Sequence, residues 1–200
     1  EAPHIVGLQE VDEGSKRNGY YNHVEELQKP NGLSNACFKA GRAAWGRYND
    51  GVALLSSLPI QESTGSLLPY IYEKRGLIQA KISYQNKNIA VFVTHLAAHP
   101  HNIRLRKKQM SAVIKRIKKV DEPIILMADF NCTPKSREFR YLVKKSGLRP
   151  LSTKKSFASY FPSFALDNIL VSKEFNLKTV KVPRVPLSDH FPVVVELGMD

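Results

Sequence analysis

The sequence predicts an α/β or α+β sandwich, with packed sheets and helices outside them. Three observations point there. Short apolar runs recur along the chain, at residues 5–8, 89–93, 124–128, 165–171 and 193–195, each of strand length, and the run at 124–128 reads as a strand buried on both faces. Only two or three stretches have helical character. No repeat, low-complexity tract or linker interrupts the 200 residues, a length that suits one domain.

In chain order, Ile5-Val6-Gly7-Leu8 runs into Gln9-Glu10-Val11-Asp12, a strand ending in acidic groups. Residues 14–19 are turn-rich, and 24–29 read as a short helix stopped at Pro30-Asn31-Gly32. Residues 36–40 and 51–56 read as strands, and Leu58-Pro59-Ile60 as a loop exit. Between those strands lie Arg42, Trp45, Arg47 and Tyr48. This aromatic and cationic mix suits either a ligand, with Arg42 as the substrate contact, or packing beneath snorkelled arginines. Leu67-Leu68-Pro69-Tyr70-Ile71-Tyr72 is either an apolar loop for a membrane or an edge packed in the domain. Residues 76–84 alternate as a strand with one covered face, 85–88 form a hairpin turn, and 89–93 lead into Thr94-His95-Leu96.

From residue 102 to 120, Ile103, Met110, Val113, Ile114 and Ile117 mark the apolar face of a helix. Arg104, Arg106, Lys107, Lys108, Lys115, Arg116, Lys118 and Lys119 mark a solvated cationic face. Next comes Ile124-Ile125-Leu126-Met127-Ala128-Asp129-Phe130-Asn131, an apolar strand whose end carries a carboxylate and, two residues on, an amide. In an extended chain both point to one side. Such a pair either holds a water, a metal's ligand sphere or a phosphate, or caps the following turn. Residues 136–145 read as a helix closed by Gly147, and 156–164 as irregular. Asp167 sits within an apolar run and there requires a buried partner. Residues 179–182 and 193–197 read as strands flanking Ser188-Asp189-His190.

Composition narrows the function. Hydrophobic residues make up 42% and charged residues 24%, values of an ordered globular protein rather than a disordered one. No apolar stretch approaches the roughly 18 residues that cross a bilayer. Thirty Lys and Arg against eighteen Asp and Glu give a net charge of +12, which favours a polyanionic partner: nucleic acid, phosphorylated headgroups or an anionic surface. Cys37 and Cys132 match no metal or redox spacing. The chain is expected to be soluble, either cytoplasmic or secreted after loss of a leader.

Strand borders thus carry Glu10, His95, Asp129, Asn131, Asp167, Asp189 and His190. Gathered together, these are hard oxygen ligands and two imidazoles, suited to Mg²⁺ or Mn²⁺ rather than to zinc. A carboxylate beside an imidazole fixes its tautomer and raises its basicity. Such a set is what hydrolysis of a phosphate ester needs.

Leu8-Gln9-Glu10-Val11, Gly51-Val52-Ala53-Leu54-Leu55-Ser56, Thr94-His95-Leu96, Ala128-Asp129-Phe130-Asn131, Leu166-Asp167-Asn168-Ile169 and Ser188-Asp189-His190 together resemble the endonuclease/exonuclease/phosphatase superfamily, the deoxyribonuclease I-like proteins. The resemblance spans nearly the whole chain. It implies a four-layer sandwich of two packed mixed β-sheets flanked by helices. It implies that Glu10 binds the divalent metal, Mg or Mn, with help from Asp189. His190 then contacts the scissile phosphate and is oriented by Asp167, and Asp129 and Asn131 position the attacking water and a phosphate oxygen. His95 donates to the phosphate or the leaving oxygen. Either His190 or Asp129 is the base. The family's opening strand, which ends in Asn, has no counterpart before Ala2-Pro3-His4, so residues 1–200 are expected to form one domain apparently lacking it. The activity implied is a metal-dependent nuclease. The alternatives are a phospholipid or phosphosugar phosphodiesterase or phosphatase, sphingomyelinase-like, and an incomplete, non-catalytic binding module.

Overall fold

The computed structural model describes residues 2–44 and 48–199; Trp45 and Arg47 lie outside them. The chain divides into two compact units, Glu1–His95 and Leu96–Asp200.

In the first unit β1 (Ile5–Asp12), β2 (Asn35–Ala44) and β3 (Tyr48–Ser56) form an antiparallel sheet in the order β1-β3-β2. The strands β4 (Ile60–Leu67), β5 (Gly76–Tyr84) and β6 (Lys87–His95) pair antiparallel in that order. Strands β2 and β3 pack over β5. Val52, Leu54, Ile78, Ile82, Val91 and Val93 are buried in this unit, as the continuous apolar runs at residues 52–55 and 89–93 demand. The close approach of β2 and β3 depends on Gly51, where an added Cβ would lie 2.1 Å from the Lys39 carbonyl oxygen. The helix α1 (His23–Gln28) starts where the Asn22 side chain accepts from the N–H groups of Val24 and Glu25. Its Val24 joins Val11, Leu33, Ala53 and Leu55 in a second apolar cluster. Gln85 and Asn86, both at positive φ, make the tight β5–β6 turn. Register slips between Gln9 and Val11, so Glu10 is the extra residue of a β-bulge, at φ 55°.

In the second unit α2 (Ile103–Ile117) packs on α3 (Arg137–Ser146). The strands β7 (Ile124–Asp129), β8 (Arg149–Pro150) and β9 (Asp167–Val171) pair antiparallel in the order β7-β9-β8. The strands β10 (Phe175–Lys181) and β11 (Val194–Met199) form an antiparallel pair. Ser136 caps α3 by accepting from the Phe139 N–H, and Gly147 ends it at φ 75°, a conformation that a Cβ disfavours.

Three sequence expectations change, and the open reading of residues 67–72 resolves to the end of β4 and a loop. Arg106 is not on the solvated face of α2: it is 3% exposed, pairs with Glu138 at 3.1 Å, and donates to the carbonyls of Ala97 and His99. Periodicity assigned it by charge alone, whereas a guanidinium with a carboxylate and two carbonyls around it is satisfied inside. Ile103, assigned to the apolar face, is half exposed at the first turn. β4 replaces the expected loop exit after Pro59; its residues are mostly exposed, so no apolar signal marked it. Residues 68–75 form the loop between β4 and β5, where Leu68 is buried and Tyr72 is 95% exposed.

Both cysteines are unpaired thiols; burial pushes the Cys132 thiol up to about 11, which leaves it protonated and unreactive at neutral pH. Among the described residues no helix is long and apolar enough to cross a membrane.

Candidate active site

The second unit holds four of the expected residues close together. Antiparallel pairing of β7 with β9 sets Asp129, the last residue of one strand, directly opposite Asp167, the first of the other. His190 reaches the same place because its segment is bound to residues 156–157: the Phe191 N–H donates to the Ser156 carbonyl at 2.8 Å, and Phe157 bridges to His190. The Phe157 ring lies 4.7 Å from the imidazole. His190 Nδ1 donates to Asp167 Oδ2 at 2.7 Å, and Ser156 Oγ donates to the same oxygen at 2.5 Å. Asp167 therefore has the partners its position requires.

Burial opposes the charge on His190. The hydrogen bond to Asp167 and the negative charges of Asp167, Asp129 and Asp189 outweigh it and lift the imidazole to about 8. The ring is then mostly protonated at neutral pH.

Asp129 and Asn131 are held by the backbone rather than by an extended strand. The strand ends at Asp129 and Asn131 turns to φ 49°, so its N–H donates to Asp129 Oδ1 at 2.8 Å. Both the capping role and proximity to His190 thus belong to the same carboxylate. Asn131 Nδ2 donates to the Leu96 carbonyl at 2.9 Å, and the Leu96 N–H donates to the Asp129 carbonyl at 3.0 Å. Asp189 is exposed; its carboxylate accepts from Ser188 Oγ at 3.3 Å.

Asp129, Asp167 and His190 each offer a ligand atom within 4.8 Å of the others, a group that could hold a metal ion. Asp167 Oδ2 and His190 Nδ1 already serve one another, so the remaining donors are chiefly carboxylate oxygens, which fit a hard divalent cation.

The first unit gathers the others. A cleft is lined by Glu10, Arg42, Asp50, Glu73, Arg75 and His95. The bulge presents Glu10 with its side chain largely exposed; Oε1 lies 3.9 Å from both Arg75 Nη1 and His95 Nδ1. Arg75 Nη1 donates to His95 Nδ1 at 2.7 Å. A guanidinium only donates, so Nδ1 accepts and the ring proton of His95 sits on Nε2. Arg75 Nη2 also pairs with Glu73 at 2.8 Å, and its buried Nε has no hydrogen-bond partner among the described residues. Arg42 pairs with Asp50 at 3.0 Å and stacks over Tyr48 at 4.3 Å.

Arg75 and Ser156 were missed by sequence reasoning. Arg75 directly precedes the strand at residue 76, the one signal it offers. Ser156 lies in an irregular stretch with none.

The sheets and flanking helices define an α/β sandwich, and solved structures share it. The catalytic domain of human nocturnin, solved with a bound sulfate anion, is 19% identical with a TM-score of 0.80, over 99% of this chain and 82% of that one. The mannosyl-6-phosphatase Bt3783 of Bacteroides thetaiotaomicron is 18% identical with a TM-score of 0.80, over 98% and 85%. An endonuclease/exonuclease/phosphatase from Bacteroides vulgatus is 17% identical with a TM-score of 0.81, over 98% and 85%. No curated protein sequence matches the chain. The class is thus the deoxyribonuclease I-like sandwich that the motifs implied. The chain belongs to the endonuclease/exonuclease/phosphatase family, whose model matches residues 1–190, and whose members are phosphoester hydrolases.

Proposed function

We propose that the chain is a divalent-metal-dependent phosphodiesterase that cleaves nucleic acid, with residues 1–200 acting as one catalytic domain. The observation that carries this is the group Asp129, Asp167 and His190, in which an imidazolium is held by a carboxylate beside a second carboxylate. A +12 chain adds the long-range attraction for a polyphosphate.

The resemblance gives Glu10 and Asp189 to the cation, Mg²⁺ or Mn²⁺, and within the second unit the carboxylates of Asp129 and Asp167 would offer it hard oxygen donors. When bound, it offsets the charge that develops on the phosphate oxygens and lowers the pKa of water. Asp129 takes the proton of the attacking water. Asn131 orients that water or a phosphate oxygen. His190, protonated near pH 7 and anchored through Nδ1, uses Nε2 to donate to a phosphate oxygen. The hydrogen bond of His190 Nδ1 to Asp167 and the upward shift of the imidazole support Asp129 as the base, because a largely protonated imidazole is a poor acceptor. His95, with its proton on Nε2, donates to the phosphate or to the leaving oxygen, and Arg75 keeps it in that tautomer. Arg42 contacts the substrate.

A second reading keeps this chemistry with a phospholipid or small phosphoester as substrate, and the exposed Tyr70, Ile71 and Tyr72 favour it. A panel of single-stranded and duplex oligonucleotides, a phosphomonoester sugar and sphingomyelin vesicles, each with Mg²⁺ or with chelator, separates the two. Cleavage of oligonucleotides that stops with chelator is expected. Turnover confined to the sugar or the vesicles overturns the nuclease reading, and chelator-resistant turnover overturns metal dependence.

A further inference from the structure

The segments bonded to the residues around His190 carry exposed apolar side chains that the hydrolytic chemistry does not use. Tyr160 is 86% exposed, Phe161 75% and Leu187 90%. Such exposure is costly for three large side chains on neighbouring loops unless something covers them. These loops are not loose. The Phe161 N–H donates to the Ala158 carbonyl at 3.0 Å, closing a turn with Tyr160 at its tip. The Ser159 N–H donates to the Asp189 carbonyl at 2.7 Å, and Ser159 Oγ to the Ser188 carbonyl at 2.6 Å. The turn is therefore fastened to the residues directly before His190, and Leu187 precedes that same anchor. Phe157, one residue before the turn, contacts the His190 ring. The backbone that carries Tyr160 and Phe161 is thereby tied to the segment that carries His190.

The charge of this unit is predominantly positive, although exposed Asp189 lies at the anchor itself. Residues 96–200 hold twenty of the thirty Lys and Arg but nine of the eighteen acidic residues. Lys154, Lys155, Lys181 and Arg184, all exposed, flank the two loops in sequence. Exposed aromatic faces interleaved with cations fit a ligand that carries flat apolar groups on a phosphate backbone. An anchor shared with His190 suits a group covalently tied to the scissile phosphate. Immersion in a bilayer needs no such anchor.

We propose that Tyr160 and Phe161 form a stacking platform for the unpaired bases next to the scissile phosphate, so that the substrate is single-stranded nucleic acid. Leu187 closes one side of the platform. The proposal rests on the phosphodiesterase reading above and specifies its substrate.

The test compares binding of a short fluorescent oligothymidylate with that of an abasic strand of the same length and charge, by anisotropy in chelator. The unaltered chain is expected to prefer the base-bearing strand by on the order of tenfold or more. Tyr160→Ala with Phe161→Ala removes that preference, and Tyr160→Trp with Phe161→Trp restores it. Equal binding of the two strands by the unaltered chain overturns the platform, as does a preference that survives the alanine pair. A loss of sedimentation with phosphatidylcholine–phosphatidylglycerol vesicles in the alanine pair, with strand preference intact, overturns it in favour of a membrane contact. The binding readout needs no turnover: if bases are preferred but Mg²⁺ brings no cleavage of the strand, the phosphodiesterase reading fails and the platform stands.

Discussion

Asp167 and His190 are bound through a single carboxylate oxygen, which accepts from the imidazole Nδ1 at 2.7 Å and from Ser156 Oγ at 2.5 Å. That oxygen holds the ring's orientation and sustains its charge. Replacing Asp167 by Asn removes the charge and keeps the size. The His190 pKa, read from an imidazole NMR titration, is expected to fall from about 8 toward or below the ordinary histidine value, because burial then acts without its counterweight. A His190 pKa that stays near 8 in the variant refutes the assignment.

On the proposed mechanism, turnover follows the same pair. His190→Gln is expected to lower kcat by about a hundredfold or more, the range of a lost proton-donating side chain. In the unaltered chain kcat declines as pH rises through about 8, where His190 loses its proton. A pH profile flat across that range argues against a protonated His190.

Stability has a pH dependence of definite sign. The folded His190 pKa is raised above the unfolded value near 6.5, so its contribution is complete below about 6.5 and is lost as pH rises through about 8. Between pH 6 and pH 9 the melting temperature is expected to fall, and His190→Gln removes part of that fall. Calorimetry of both proteins at the two pH values checks it.

The buried pair Arg106–Glu138 joins α2 to α3, with the two residues 3% and 5% exposed. Glu138→Ala leaves the guanidinium buried with two carbonyls as its remaining partners. A loss of about 3–5 kcal/mol in urea unfolding is expected. Arg106→Leu with Glu138→Leu costs less than Glu138→Ala alone, since no charge is left stranded.

Gly51→Ala places a methyl group where the Lys39 carbonyl already stands, at 2.1 Å. The β2–β3 pair must separate locally, at about 1–3 kcal/mol, again measured by urea unfolding.

β6, β7 and β9 were legible in the sequence because they are buried on both faces, and a run such as residues 124–128 has no other stable home. β4 was not, because its exposed residues carry polar side chains and its pairing with β5 comes from backbone groups that leave no trace in composition. Asp129, Asp167 and His190 were legible as motifs, and β7–β9 register explains why two carboxylates far apart in the chain stand opposite one another. Their neighbours were not. Ser156 bonds to Asp167, and Arg75 in the first unit bonds to His95, through contacts that only three-dimensional proximity creates, and a charge count places Arg106 in water when its partner lies 32 residues away.

Glu10 and Asn131 both adopt left-handed backbone conformations, at φ 55° and 49°, which cost a residue with a Cβ about 1–2 kcal/mol. Each is a place where a glycine would relax the backbone and delete a functional group. Glu10→Gly is therefore expected to melt higher while losing turnover, whereas Asn131→Gly also loses the Nδ2 bond to the Leu96 carbonyl, which offsets the gain. Selection for heat resistance alone would drift toward an inert protein at Glu10, so a thermostabilising library built on this chain should hold that position fixed.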